Sequence, residues 1–86
     1  EKHEASIIYK TLIESKENFK KESAKIVTQK VQKAFENNPI FTLEYYQIAH
    51  EDTLLPCIRK NKNKKYRAFI AVFVNNIRLI DTISLN

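Results

Sequence analysis

The sequence predicts an α+β fold, two helices packed on one face of a mainly antiparallel three-stranded sheet. Three observations predict it. The segment Tyr66 to Leu85, YRAFIAVFVNNIRLIDTISL, sets two runs rich in Val, Ile and Phe on either side of Asn75-Asn76. Both asparagines tolerate the positive φ that a two-residue type I′ turn demands, so the segment reads as a β-hairpin. Upstream, two stretches repeat apolar residues at helical spacing. Between them and the hairpin, FTLEYYQIA (Phe41 to Ala49) has the β-branched and aromatic composition of a strand.

In chain order, Ala5, Ile8 and Leu12, with Tyr9 and Ile13 beside them, make an amphipathic helix from about His3 to Ser15 or a little beyond. Asn18-Phe19-Lys20-Lys21-Glu22 then forms a polar connection of a length that joins antiparallel helices. Ser23 can cap a second helix, whose apolar stripe is Ala24, Val27, Val31, Ala34 and Phe35, with Lys25, Gln29, Lys33 and Glu36 outside it. It stops at Asn37-Asn38-Pro39, because Asn can take a left-handed position after the helix and Pro cannot continue the ladder.

The strand Phe41 to Ala49 alternates imperfectly, since Tyr45 and Tyr46 are adjacent, and one of the two should point inward. His50 to Pro56 reads as a tight connection in which Asp52 and Thr53 accept hydrogen bonds from nearby backbone N–H groups and Leu54 plugs the core. Cys57-Ile58 is a short extended piece before a polar loop. In the hairpin, a two-residue loop sets Val74 opposite Ile77, Val72 opposite Leu79, Ile70 opposite Asp81 and Ala68 opposite Ile83 on one nearly aliphatic face. That face should be the core. The other face pairs Phe73 with Arg78, Ala71 with Ile80, Phe69 with Thr82 and Arg67 with Ser84. It is mixed, and Arg78 is expected to stack over Phe73. Asp81 falls on the aliphatic face, where it needs partners; a strand twist or bulge should bring it to a rim with backbone N–H groups or a Lys.

The chain of 86 residues has room for one small core and no second domain. Its 43% hydrophobic and 29% charged content is that of a folded globular domain. No apolar run approaches the length of a membrane span, no charged-then-apolar leader stands in these 86 residues, and a cytoplasmic setting is the expectation. There is no Met, so the chain reads as a piece of a larger protein, and no Gly, which excludes phosphate loops and dinucleotide fingerprints built on Gly. Cys57 stands alone and is expected to be a half-buried hydrophobe.

No catalytic, cofactor-binding or metal-ligating residue is assigned. His3 and His50 have no Ser or Cys partner at a recognisable spacing. The net charge of +5 and the run Arg59-Lys60-Asn61-Lys62-Asn63-Lys64-Lys65 raise the question of nucleic acid. The surplus is mostly Lys interleaved with Glu, and the run lacks aromatics for base stacking. A solvated loop is the favoured reading, without nucleic acid. The alternative is a small interaction module that binds an acidic partner or nucleic acid through Arg59-Lys65.

Several segments together resemble a known family. They are Glu1-Lys2-His3-Glu4-Ala5 with Tyr9-Lys10-Thr11-Leu12; Leu43-Glu44-Tyr45-Tyr46-Gln47-Ile48; Asp52-Thr53-Leu54-Leu55-Pro56; Phe69 to Val74; and Arg78-Leu79-Ile80-Asp81. In this order they are similar to the C-terminal domain of the pantothenate synthetases (pantoate–β-alanine ligases). Asn75-Asn76 where the family often has Gly, Thr82 where it often has Asn, and His50 where Asp is common depart from the pattern at turn or capping positions.

The resemblance implies part of an ATP-dependent ligase that activates pantoate as pantoyl adenylate, with magnesium, and condenses it with β-alanine to give pantothenate. It implies that residues 1–86 are a single C-terminal lid domain. The N-terminal Rossmann-like catalytic domain would then be its partner in the same chain and hold ATP, pantoate and β-alanine. The full-length enzyme would be a homodimer and the isolated piece inactive. No ligand residue of the family maps by motif onto this sequence.

Overall fold

The computed structural model describes residues 2–86, with side chains from residue 6 onward. The readings of the His3 and Ala5 side chains therefore lie outside the described residues. Helix α1 (Lys2–Phe19) and helix α2 (Ala24–Glu36) precede strands β1 (Phe41–His50), β2 (Tyr66–Val74) and β3 (Ile77–Ser84). The sheet is antiparallel throughout in the order β1-β2-β3. Both helices pack on the same face of it, α2 mainly over β1 and α1 over β3 and β2. The expected α+β architecture is the observed one.

Helix α1 runs a turn further than the spacing predicted. Ile8, Leu12, Ser15 and Phe19 are all buried, and their steps of four, three and four residues trace one helical stripe. Phe19 thus belongs to the core and not to a polar connection, while Tyr9 is exposed. Ser15 was missed as a core position because it is polar. Its hydroxyl donates to the Leu12 carbonyl at 2.8 Å, which removes the cost of burying it.

Helix α2 begins as expected, with Ser23 Oγ accepting from the Ile26 N–H at 3.2 Å. Ala24, Val27, Val31 and Phe35 are buried, whereas Ala34 is exposed. The helix ends without a left-handed Asn, since Asn37 sits at φ −112. Asn38 makes the turn instead. Its Oδ1 accepts from the N–H groups of Ile40 and Phe41, each at 2.8 Å, and an Asx turn of this kind leads the chain into β1.

The imperfect alternation in β1 has a structural cause. Its register on β2 shifts between Leu43 and Tyr45, so Glu44 is the extra residue of a β-bulge. Phe41 and Leu43 face the core before the bulge and Tyr46 and Ile48 after it, odd positions giving way to even ones. Tyr46 is the inward tyrosine and Tyr45 the outward one.

The hairpin pairs as derived, from Val74 with Ile77 to Arg67 with Ser84. Among the described residues only Leu54 and Asn75 have positive φ, 62 and 58. With Asn76 at negative φ the turn has the pattern of type II′ and not type I′. On the core face Ala68, Ile70, Val72 and Val74 are buried, and Leu79 and Ile83 are packed against them. Asp81 is half-buried, and its Oδ1 accepts from the Thr82 N–H at 2.8 Å. The β2–β3 register is continuous. An edge strand with a backbone donor satisfies the carboxylate here, and no bulge is involved.

Tyr46 carries the one buried side-chain oxygen that finds no hydrogen-bond partner among the described residues. Burial raises its phenol above the usual value of 10.0, and nearby Ser15 draws it part of the way back. Ser15 is close enough to act on the phenol, yet its own proton goes to Leu12. The hydroxyl therefore carries a desolvation cost with little return. Tyr46→Phe is expected to raise stability by about 1 kcal/mol at neutral pH, measured by urea unfolding. A sign argument adds a second readout. The folded state holds this proton more tightly than the unfolded state, so the wild type loses stability as pH climbs above 10.0, and the Phe variant should lose less over that range.

Candidate functional site

Two surfaces could carry function, the basic loop 59–65 and the face of the sheet turned away from the helices. The loop is built by hydrogen bonds from residues on both sides. Asn61 donates its N–H to Tyr66 Oη at 2.7 Å, Asn63 donates its N–H to Asn61 Oδ1 at 2.8 Å, and Lys64 N–H reaches the Asn61 carbonyl at 3.1 Å. Arg59, Lys62, Lys64 and Lys65 are exposed.

Lys60 behaves differently from its neighbours. Its ammonium donates to the carbonyl of Phe19 and to that of Glu22 at 2.9 Å, and it lies 4.3 Å from the centre of the Phe19 ring. The Phe19 carbonyl ends α1, where the helix dipole favours a cation, and the Glu22 carbonyl lies in the turn that follows it. The lysine thus caps a helix that ends 41 residues before it, and it pins the basic loop to the helical layer. Nothing in the run Arg59 to Lys65 distinguishes Lys60, because its partners lie on another element. Lys60→Gln is expected to lower the unfolding free energy by about 1–2 kcal/mol. Replacing Lys62, Lys64 and Lys65 together by Gln should change it by less than about 0.5 kcal/mol. Urea titrations of both variants check the contrast.

The loop after β1 is ordered by the contacts foreseen for it. Asp52 Oδ1 accepts from the Thr53 N–H at 2.8 Å and Thr53 Oγ1 from the Leu55 N–H at 3.2 Å. Pro56 bridges to Ala49, and Cys57 N–H donates to the Ile48 carbonyl at 2.8 Å, so this piece runs extended along the free edge of β1. Leu54 does not plug the core. Its left-handed φ ends the turn with the side chain in solvent, 62% exposed. Cys57 is half-buried against the core; burial pushes its thiol up, with Lys60 and Tyr66 offsetting part of the rise. That makes it a weaker nucleophile than an ordinary exposed thiol.

On the open sheet face, Phe73 and Arg78 are partners in the register, yet no cation–π contact forms between them. Arg78 reaches across β2 to the bulge residue, its Nε donating to Glu44 Oε1 at 2.6 Å. A charge-assisted hydrogen bond outweighs an exposed stacking contact, and the same bond raises the guanidinium further above its already high value. At the other end of the face Arg67 lies 3.6 Å from Glu51 Oε2 and donates to Thr82 Oγ1 at 3.2 Å. Between these pairs lie Tyr45, Phe69, Ala71, Phe73 and Ile80.

His50 packs its ring 5.0 Å from that of Tyr66. Among the described residues no three His, Cys, Asp or Glu side chains converge as a metal set, and no helix is long and apolar enough to cross a membrane. The surface depressions are shallow. The one beside the basic loop, about 400 Å³, is lined by Phe19, Lys60, Lys62, Lys64 and Tyr66 among others, and its lysines stand at the surface.

The family model for pantoate–β-alanine ligase matches residues 1–84. The chain belongs to the pantoate–β-alanine ligase family. It is 62% identical over 85 residues to a pantothenate synthetase of Flavobacterium psychrophilum, covering 99% of this chain and 30% of that protein. A pantothenate synthetase of Christiangramia forsetii is 46% identical over 83 residues. Among solved structures, a pantothenate synthetase from Thermus thermophilus superposes with a TM-score of 0.76 at 25% identity, over 96% of this chain and 30% of that one. The chain therefore spans about a third of the length of the ligase-family relatives it matches.

Proposed function

We propose that this chain is the C-terminal lid domain of a pantothenate synthetase, the enzyme that condenses pantoate with β-alanine, driven by ATP, through pantoyl adenylate. The observation that carries the reading is the match over nearly the whole chain to only 30% of a pantothenate synthetase, in a unit with its own core and, among the described residues, no convergent metal set. On this reading ATP, magnesium, pantoate and β-alanine are held by an N-terminal catalytic domain of the same polypeptide, and the full-length enzyme is a homodimer in the cytoplasm.

The contribution of these residues is positional. A rigid body that closes over an acyl adenylate excludes the water that would hydrolyse it, and the two helices on the aliphatic sheet face supply the rigidity. The interaction-module alternative has less support, because Lys60 is engaged with α1 and the loop bonds to itself and to Tyr66. The test is pantothenate formation from ATP, pantoate and β-alanine. The full-length chain is expected to turn over and residues 1–86 alone are expected to show no activity; formation above background by the 86-residue chain overturns the assignment.

A further inference from the structure

Among the described residues both helices lie on one side of the sheet, and no element covers its other side. We infer that this open face, centred on Phe73 and Ile80 and edged by the Arg78–Glu44 and Arg67–Glu51 pairs, is the surface that seats against the remaining two-thirds of the same polypeptide. The inference rests on the proposal that the chain is one domain of a longer synthetase, and it adds which of its surfaces makes the contact.

Composition is the first argument. An apolar, aromatic centre with arginine and paired charges at the margin is the anatomy of a protein interface. Phe73 and Ile80 are 36% and 59% exposed, while Ala71 between them is fully covered. The apolar side chains have already closed over the backbone, so a partner would meet a dry platform.

The second argument is area, and it selects the occupant. Strands of nine and eight residues extend about 30 Å, and three strands are about 14 Å wide, giving a face on the order of 400 Å². A stable complex between separate proteins takes about 800 Å² on each partner. A second copy seated on this face alone would fall at the weak, transient end of protein interfaces. A covalently attached domain does not face that threshold, because the linker supplies an effective concentration of about millimolar. Relatives that are three times as long supply such a domain.

The third argument is the clasp. Arg78 and Glu44 come from the two outer strands and meet across Phe73, which fixes both long side chains before any partner arrives. Arg78 uses its Nε on Glu44 and retains further N–H donors for acceptors on the opposing surface.

The experiment is thiol labelling in the full-length chain, read by peptide mass spectrometry so that other cysteines do not interfere. Ile80→Cys reports the open face, and Gln29→Cys, exposed on α2, reports the helical layer. Position 80 is expected to react at least about tenfold more slowly than position 29, with the difference lost in denaturant. Equal rates, or protection at position 29 instead, overturn the inference. Protection at position 80 that disappears on dilution assigns the face to a second copy and overturns it too. Pantothenate formation is assayed on the same preparations. An active enzyme with an unprotected position 80 rejects only this surface, whereas an inactive full-length chain rejects the proposal beneath it.

Discussion

Tyr66→Ala is expected to lower the unfolding free energy of the 86-residue chain by about 3–5 kcal/mol. Tyr66 is 2% exposed and touches every layer of the domain. Its ring meets Phe19 of α1 edge-on at 5.5 Å and His50 of β1 at 5.0 Å. Its hydroxyl accepts from Asn61 in the basic loop, and its carbonyl accepts from Leu85 N–H at 2.9 Å. Truncation therefore opens a cavity where the end of α1, the loop and the C-terminal residues converge. A domain of this size has a total stability of roughly 4–13 kcal/mol, so the loss is a large fraction of the total and the urea midpoint should fall steeply. Tyr66→Phe keeps the packing and removes the hydroxyl that accepts from Asn61 and lies beside Cys57, at about 1 kcal/mol. Urea unfolding with the m-value monitored checks both. A loss below about 1.5 kcal/mol for the Ala variant would mean that the convergence at Tyr66 is not the keystone described.

The second large effect separates the two faces of the sheet. Ile70 is fully buried, set between Tyr46 and Asp81 in the register. Ile70→Ala should cost about 2–5 kcal/mol. Ile80 lies in the next strand on the opposite face, and in the 86-residue chain Ile80→Ala should cost less than about 1 kcal/mol, because most of its side chain is already in water. The same chemical deletion thus reads out burial alone. Similar losses at the two positions would place the core on both faces of the sheet and would contradict the two-layer arrangement.

Much of this domain is legible in its sequence because much of it is decided locally. The order of elements follows from periodicity: the steps of three and four residues in α1 and α2, and the alternation on either side of Asn75-Asn76. The whole β2–β3 register follows from one two-residue loop, since a hairpin has no freedom once its turn length is set. The family likeness was readable for the same reason, resting on segments whose order along the chain suffices.

What only the tertiary structure decided are the partners of side chains that reach beyond their own element. Phe19 and Ser15 join the core because β2, β3 and the basic loop arrive to cover that end of α1. Glu44 becomes a bulge because Phe41 and Leu43 must face inward and so must Tyr46 and Ile48, and one extra residue is the only way to bury both pairs. Arg78 turns from Phe73 to Glu44 because that bulge, two strands away, presents a carboxylate within 2.6 Å. Lys60 looks like any other lysine of its run and ends as the cap of a distant helix. In each case the choice among competing interactions depends on distances that exist only after the chain has folded.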